Sequence, residues 1–410
     1  MSTQPKSRAI SRIEESSAPL AFKVRAGGKH ASPGTVPDRI VLRSKVRSLA
    51  GMQKEAVVTQ LHPAGSTWRM VCDEGPYLSG TDLAPFPLAF YTAGMQFDYL
   101  SHLLNNARAL GIEMSALELV QDNFYSMHGS FLKGDATGGA QPVALTVKLN
   151  SRAPEATLAD LIKMSEVSSP AHAAMRTPLA DSFALHLNGH SVPVRGVPQS
   201  PVTGIGDPRN DFDVHPAPGA TFIDDAITKV ETAQKRHDVE GGVASSLKSV
   251  QNRQLHVHGE ARLSDLGLKR TTVWLRKPIG STFGFASDED RSSGGHDQAP
   301  SGLALLSAGI AFCYLTQISR YARIVKLKLD AVRIVQDTSF SFSGSREDTT
   351  LVAAAHPVDT HVFIESRESE ETAQRVVRMG AQTCFLHAAL TGSFQTRIQG
   401  QVNGSVVAVK

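Results

Sequence analysis

Asp82-Leu-Ala-Pro-Phe-Pro-Leu-Ala-Phe-Tyr-Thr-Ala-Gly-Met-Gln-Phe-Asp98-Tyr-Leu100 decides the fold, because it returns 215 residues later. The second version reads Asp297-Gln-Ala-Pro-Ser-Gly-Leu-Ala-Leu-Leu-Ser-Ala-Gly-Ile-Ala-Phe-Cys313-Tyr-Leu315. The same offset carries Ala107-Arg108 to Ala322-Arg323, Val120-Gln-Asp122 to Val335-Gln-Asp337, Gly129-Ser130 to Gly344-Ser345, and Asn188-Gly189 to Asn403-Gly404. It also carries His172-Ala-Ala174 to His387-Ala-Ala389. A register kept over about a hundred residues marks a duplication. Under it Asp98 answers Cys313 and Ser169 answers Cys384. The second copy thus holds two thiols at positions where the first has polar oxygen groups.

The length of 410 residues suits two domains and tails rather than one core. A 41% hydrophobic and 20% charged composition is that of an ordinary globular chain. A net charge of +3 over this length suggests neither nucleic acid nor an anionic membrane as partner. Three cysteines make no disulfide framework. The opening Met1-Ser-Thr-Gln-Pro-Lys-Ser-Arg lacks the apolar stretch of a signal peptide. The apolar run Leu303–Leu315 is too short to span a bilayer. A reducing cytoplasm is expected, so thiol chemistry would be transient.

Composition divides the chain into a disordered tail (1–36), a first copy (37–192), a Pro/Gly-rich linker (193–242) and a second copy (243–410). Asp224 to His237 is charged and is predicted as a surface helix. In the second copy Gln254–Arg262 alternates as a strand, and Thr271–Leu275 follows as another. The run Leu303 to about Arg323 has little polar face and is predicted as a central helix. Leu327–Ser343 and Leu351–Glu365 read as strands. Glu368 to about Ala389 carries one helical stripe through Ala373, Val376, Val377, Gly380 and Cys384. The first copy follows the same order. The fold class is α+β, each copy an antiparallel sheet packed on a long central helix and a second helix.

Gly294-Gly-His-Asp-Gln-Ala-Pro300, Leu305-Leu-Ser-Ala-Gly-Ile-Ala-Phe-Cys313 and Thr383-Cys-Phe-Leu-His387 follow one another in the second copy. The first copy matches through Leu78–Pro85 and Ser168–His172. This ordered set resembles the OsmC/Ohr family, in tandem form. The resemblance implies a thiol-dependent peroxidase that reduces organic hydroperoxides. It makes Cys313 the attacking thiol and Cys384 the resolving one, with an external dithiol as reductant and no cofactor. It also implies intertwined subunits, met here by the two copies arranged as an intrachain pseudo-dimer, with further homo-oligomers open. Two features depart from the family. The Glu that family peroxidases carry nine or ten residues before the first cysteine is Leu303 or Ala304 here. The family's thiolate-supporting Arg maps to Arg270, with Arg262 (echoed by Arg47) and Arg320 as other cations. Some cation is needed, since Cys313 lies about three turns into its helix, beyond the reach of the dipole.

Two rival readings stay open. A Cys–His pair built from His387 would suit hydrolysis or acyl transfer, although His172 at the same place in copy one suggests a structural histidine. A binding protein for an apolar ligand at the inter-copy interface would leave the thiols as bystanders. His256, His258 and Glu260 share one strand face but lack further ligands and read as a solvated face, so no metal is expected. Cys72 reads as a strand-core thiol, and Trp68 and Trp274 as packing residues. Gly204-Ile-Gly206 follows no strand and opens no helix, so it is no dinucleotide fingerprint.

Overall fold

A computed structural model describes residues 10–25, 39–217, 226–233, 251–264, 267–291 and 294–409. The first half runs β1 (Ala21–Lys23), β2 (Arg39–Ser48), β3 (Lys54–His62), β4 (Thr67–Cys72), α1 (Pro87–Ala109), β5 (Ala116–Gly129), β6 (Thr137–Ala140), β7 (Ala144–Asn150), α2 (Glu155–Val167), α3 (Pro170–Arg176), β8 (Ser182–Leu187) and β9 (His190–Val192). The second runs β10 (Ile227–Glu231), β11 (Gln251–Leu263), β12 (Lys269–Lys277), β13 (Thr282–Ser287), α4 (Gly302–Ile324), β14 (Leu329–Ser343), β15 (Val352–Ala355), β16 (Asp359–Ser366), α5 (Glu370–Thr383), α6 (Phe385–Thr391), β17 (Arg397–Val402) and β18 (Ser405–Val407).

The architecture is α+β, but neither copy keeps a sheet to itself. One sheet is ordered β1-β4-β3-β2-β14-β16-β8-β9, with β15 on β14. The other is ordered β10-β13-β12-β11-β5-β7-β17-β18, with β6 on β5. Each therefore joins strands of both copies at an antiparallel seam, β2 on β14 and β11 on β5, and at a parallel one, β8 on β16 and β7 on β17. The expectation of one sheet per copy is corrected here. The long strands β5 and β14 would each leave an open edge, and the arm of the other copy covers it.

Between the sheets lie α1 and α4, antiparallel and in backbone contact. A Cβ built on Gly94 would stand 2.6 Å from Leu306 N, and one on Gly309 would stand 2.7 Å from Tyr91 N. These two glycines are equivalent in the repeat and set how closely the helices cross. Ser301 caps α4 by accepting from the Ala304 amide, and Pro87 occupies the first turn of α1. By length and composition α4 is apolar enough to cross a membrane, yet its apolar stretch is 94% buried inside the protein.

Several local expectations give way. Residues 10–25, assigned by composition to a mobile tail, hold a 3-10 turn and β1, which pairs with β4 because Phe22 has a buried seat there. In the charged segment predicted as a helix, Ile227–Glu231 instead forms a strand against β13, while 224–225 and 234–237 lie outside the described residues. The predicted strand Leu351–Glu365 divides at His356-Pro357-Val358, where the proline has no N–H for the ladder. The helical stripe through Cys384 breaks at that residue, which is extended (φ −75°, ψ 120°) between α5 and α6.

Candidate active site

Cys313 projects from the third turn of α4 and Cys384 from the break between α5 and α6. Both are buried, at 2% and 0% exposure, and both are free thiols. Burial, and then the neighbouring Cys313, push the Cys384 thiol well above the usual range, against the pull of the His387 and Leu386 amides. Copy one closes over this pair. At Gly138, on β6, an added Cβ would stand 2.7 Å from the Thr383 carbonyl oxygen, and the Gln382 amide donates to the Ala136 carbonyl at 2.9 Å.

One turn beyond Cys313, the Thr316 hydroxyl donates to Glu74 Oε1 at 2.9 Å. Tyr77 donates to Glu74 Oε2 at 3.0 Å, and Lys54 Nζ stands 3.9 Å from Oε1. Two further cations are buried here. The Arg253 guanidinium lies 5.7 Å from the Tyr77 ring centre, and none of its three nitrogens finds a hydrogen-bond partner among the described residues. The Arg320 guanidinium lies 4.7 Å from the Phe131 ring centre, and burial drives its pKa well down. Glu74 thus faces three buried cations. Cys72 faces this layer from β4, and burial raises its thiol well above the usual range.

The arginines offered from the sequence fall elsewhere, with one exception. Lys269 and Thr271 bond to Ser101 and Gln96 of α1, so Arg270 between them points to the opposite face of the sheet, away from the helices. Arg262 is exposed and Arg47 pairs with Glu55. Arg320, the exception, is buried within the cluster. Lys54 and Glu74 could have been found in the sequence, since they recur as Lys269 and Glu289 at the repeat offset.

His387 makes no dyad with either thiol. Neither ring nitrogen has a hydrogen-bond partner among the described residues, and the Asp181 carboxyl stands 3.9 Å from Nε2. Its ring stacks on Phe183, and burial lowers its pKa to about 4, so it is neutral. In copy one the equivalent place holds an oxygen network. Ser169 donates to Asp98 Oδ2 and stands 3.0 Å from His172 Nδ1, and the Ala171 amide donates to Asp98 at 3.0 Å. Burial raises the Asp98 pKa to about 7, against those hydrogen bonds.

His258 is buried rather than solvated, and its partner comes from copy one: Asp122 on β5. The single-strand reading missed this aspartate because the pairing runs between the copies.

Two sheets braided around a pair of central helices, with two buried thiols where one helix meets a helix break, define an α+β protein. Residues 295–399 match the family model described as OsmC-like protein. No curated protein matches. Among solved structures, an OsmC-like hydroperoxide resistance protein from Jannaschia sp. CCS1 is similar at 20% identity, over 37% of this chain and 95% of that one, with a TM-score of 0.25.

Proposed function

We propose that this chain is a thiol peroxidase for organic hydroperoxides, built from two OsmC-like copies (37–192 and 243–410) of which the second carries the chemistry. The observation that carries the reading is a pair of buried free thiols, Cys384 with Cys313 as the neighbour that raises its pKa after burial, at a site walled by copy one. Cys313 thiolate attacks the O–O bond of the hydroperoxide, breaking it to release the alcohol and leaving Cys313 as sulfenic acid. Cys384 then condenses with it, forming the disulfide and releasing water, and an external dithiol reduces that disulfide. Lys54, Arg253 and Arg320 replace Arg270 as the source of positive field. They stand in for the missing family Glu–Arg arrangement one turn along α4 from the nucleophile. The neutral, unbonded His387 disfavours the hydrolase reading. Three free thiols suit a reducing cytoplasm.

The test is steady-state consumption of cumene hydroperoxide with a dithiol as reductant. Wild type is expected to turn over, Cys313→Ser to be inactive, and Cys384→Ser to stop after one equivalent. Turnover that survives in Cys313→Ser would sink the proposal.

A further inference from the structure

The repeat places one aspartate at each antiparallel seam, and the two have different partners. In the first sheet Asp337 stands directly opposite Arg43, which donates to it through two nitrogens at 2.8 and 2.7 Å. In the second sheet the equivalent Asp122 stands opposite His258, in the same register. Its Oδ1 lies 2.6 Å from His258 Nδ1 and 2.6 Å from His256 Nε2. A guanidinium at one seam is thus replaced at the other by two imidazoles converging on a single oxygen. Among the described residues this is the one group of three potential metal ligands whose ligand atoms lie within 4.8 Å of one another.

We propose that Asp122, His256 and His258 bind one divalent transition-metal ion of the zinc class, which clamps β5 of copy one to β11 of copy two as Arg43 clamps β2 to β14. Two imidazoles at i and i+2 on one strand, with a carboxylate from the next, supply two borderline nitrogen ligands and one hard oxygen ligand and leave a fourth position for water. Ligand atoms around zinc stand about 3.3 Å apart, so Asp122 Oδ1, now 2.6 Å from each imidazole nitrogen, has to withdraw from them by roughly 0.7 Å. The second shell is present. His258 Nε2 lies 3.3 Å from Glu260 Oε1, which would orient the ring with Nδ1 free to ligate. Arg276 Nη2 lies 3.1 Å from the same nitrogen. One ring nitrogen cannot donate to Glu260 and accept from Arg276 at once. The metal-free state therefore uses the Arg276 contact, with His258 Nδ1–H on Asp122, and the metal state uses Glu260. Phe124 stacks on His256 at 4.6 Å and steadies that ring. The side chains of His256 and Asp122 are 24% and 25% exposed, which gives an ion its entry from solvent.

The experiment is calorimetric titration of zinc into chelator-treated, untagged full-length protein, with cobalt absorption to separate nitrogen and oxygen ligands from thiolate. One equivalent is expected in wild type and in the Cys313→Ser/Cys384→Ser variant, without a thiolate charge-transfer band. His256→Ala, at a partly exposed position, is expected to weaken binding more than 100-fold. Glu260→Gln is expected to weaken it about 10- to 100-fold. Saturating zinc should raise the urea midpoint of wild type and leave that of His256→Ala unmoved. Binding that persists in His256→Ala, vanishes with the cysteines, or fails at micromolar zinc in wild type would overturn the proposal.

Discussion

Replacing Gly309 by Ala probes the crossing on which the two-copy arrangement rests. The new Cβ would stand 2.7 Å from Tyr91 N and 3.1 Å from Pro87 O, both backbone atoms of α1. Carbon contacts settle near 3.5–4.0 Å, so the helices must part by roughly 1 Å. Overpacking of this kind costs about 1–3 kcal/mol, and rigid backbone on the far side puts it near the upper end. Helix propensity returns about 1 kcal/mol for Gly→Ala. The net expectation is a loss of about 1–2 kcal/mol. Gly94→Ala, at the equivalent contact, should lose a similar amount. The double variant should lose less than the sum, because helices already parted by one alanine make room for the second. Urea unfolding followed by circular dichroism checks this, with Gly206→Ala as control, since nothing lies within 4 Å of a Cβ there. A Gly309→Ala protein as stable as that control would refute the close crossing.

Three further outcomes follow from the same geometry. Braided sheets should unfold as one unit, so Trp68→Phe and Trp274→Phe proteins, each keeping a reporter in a different sheet, should show coincident urea transitions, and separated midpoints would contradict the braid. Asp98 has its pKa raised by burial from 3.8 to about 7, so it binds its proton more tightly when folded and costs stability above pH 7, on the order of 4 kcal/mol, a cost relieved as pH falls toward 4. His172 and His387, lowered from 6.5 to about 4, act oppositely over the same window, so Asp98→Asn should gain stability relative to wild type at pH 7.5 and lose that advantage at pH 4.5; parallel midpoints at both pH values would be the contrary result. Arg253→Met should raise the urea midpoint, since it removes a buried charge without hydrogen bonds, while slowing oxidation of Cys313 by cumene hydroperoxide; a lower midpoint with an unchanged rate would refute its assigned role.

The central helices and the order of elements were legible because the repeat and the apolar run of α4 are local signals. The helix break at Cys384 was legible only in copy one, where Pro170 opens α3; its counterpart Phe385 carries no such mark, so the apolar stripe reads straight through. Strand β10 and the Phe22 strand hide in charged or Ser-rich surroundings, and only their partners β13 and β4 make them strands. The thiol pair was read from the resemblance, but its cations were not. Local order favours Arg270, whereas the braid brings Lys54 and Glu74 from copy one and Arg253 from β11. Sequence separation conceals such sites, and only the recurrence of Lys54 and Glu74 in both copies hints at them.

The most direct test of the central claim is peptide mapping of the reduced protein after stopped treatment with one equivalent of cumene hydroperoxide. The account expects a Cys313–Cys384 disulfide, reversed by a dithiol, with Cys72 left as a free thiol. Three unreacted thiols, or a bridge from Cys313 to Cys72 instead, would contradict it.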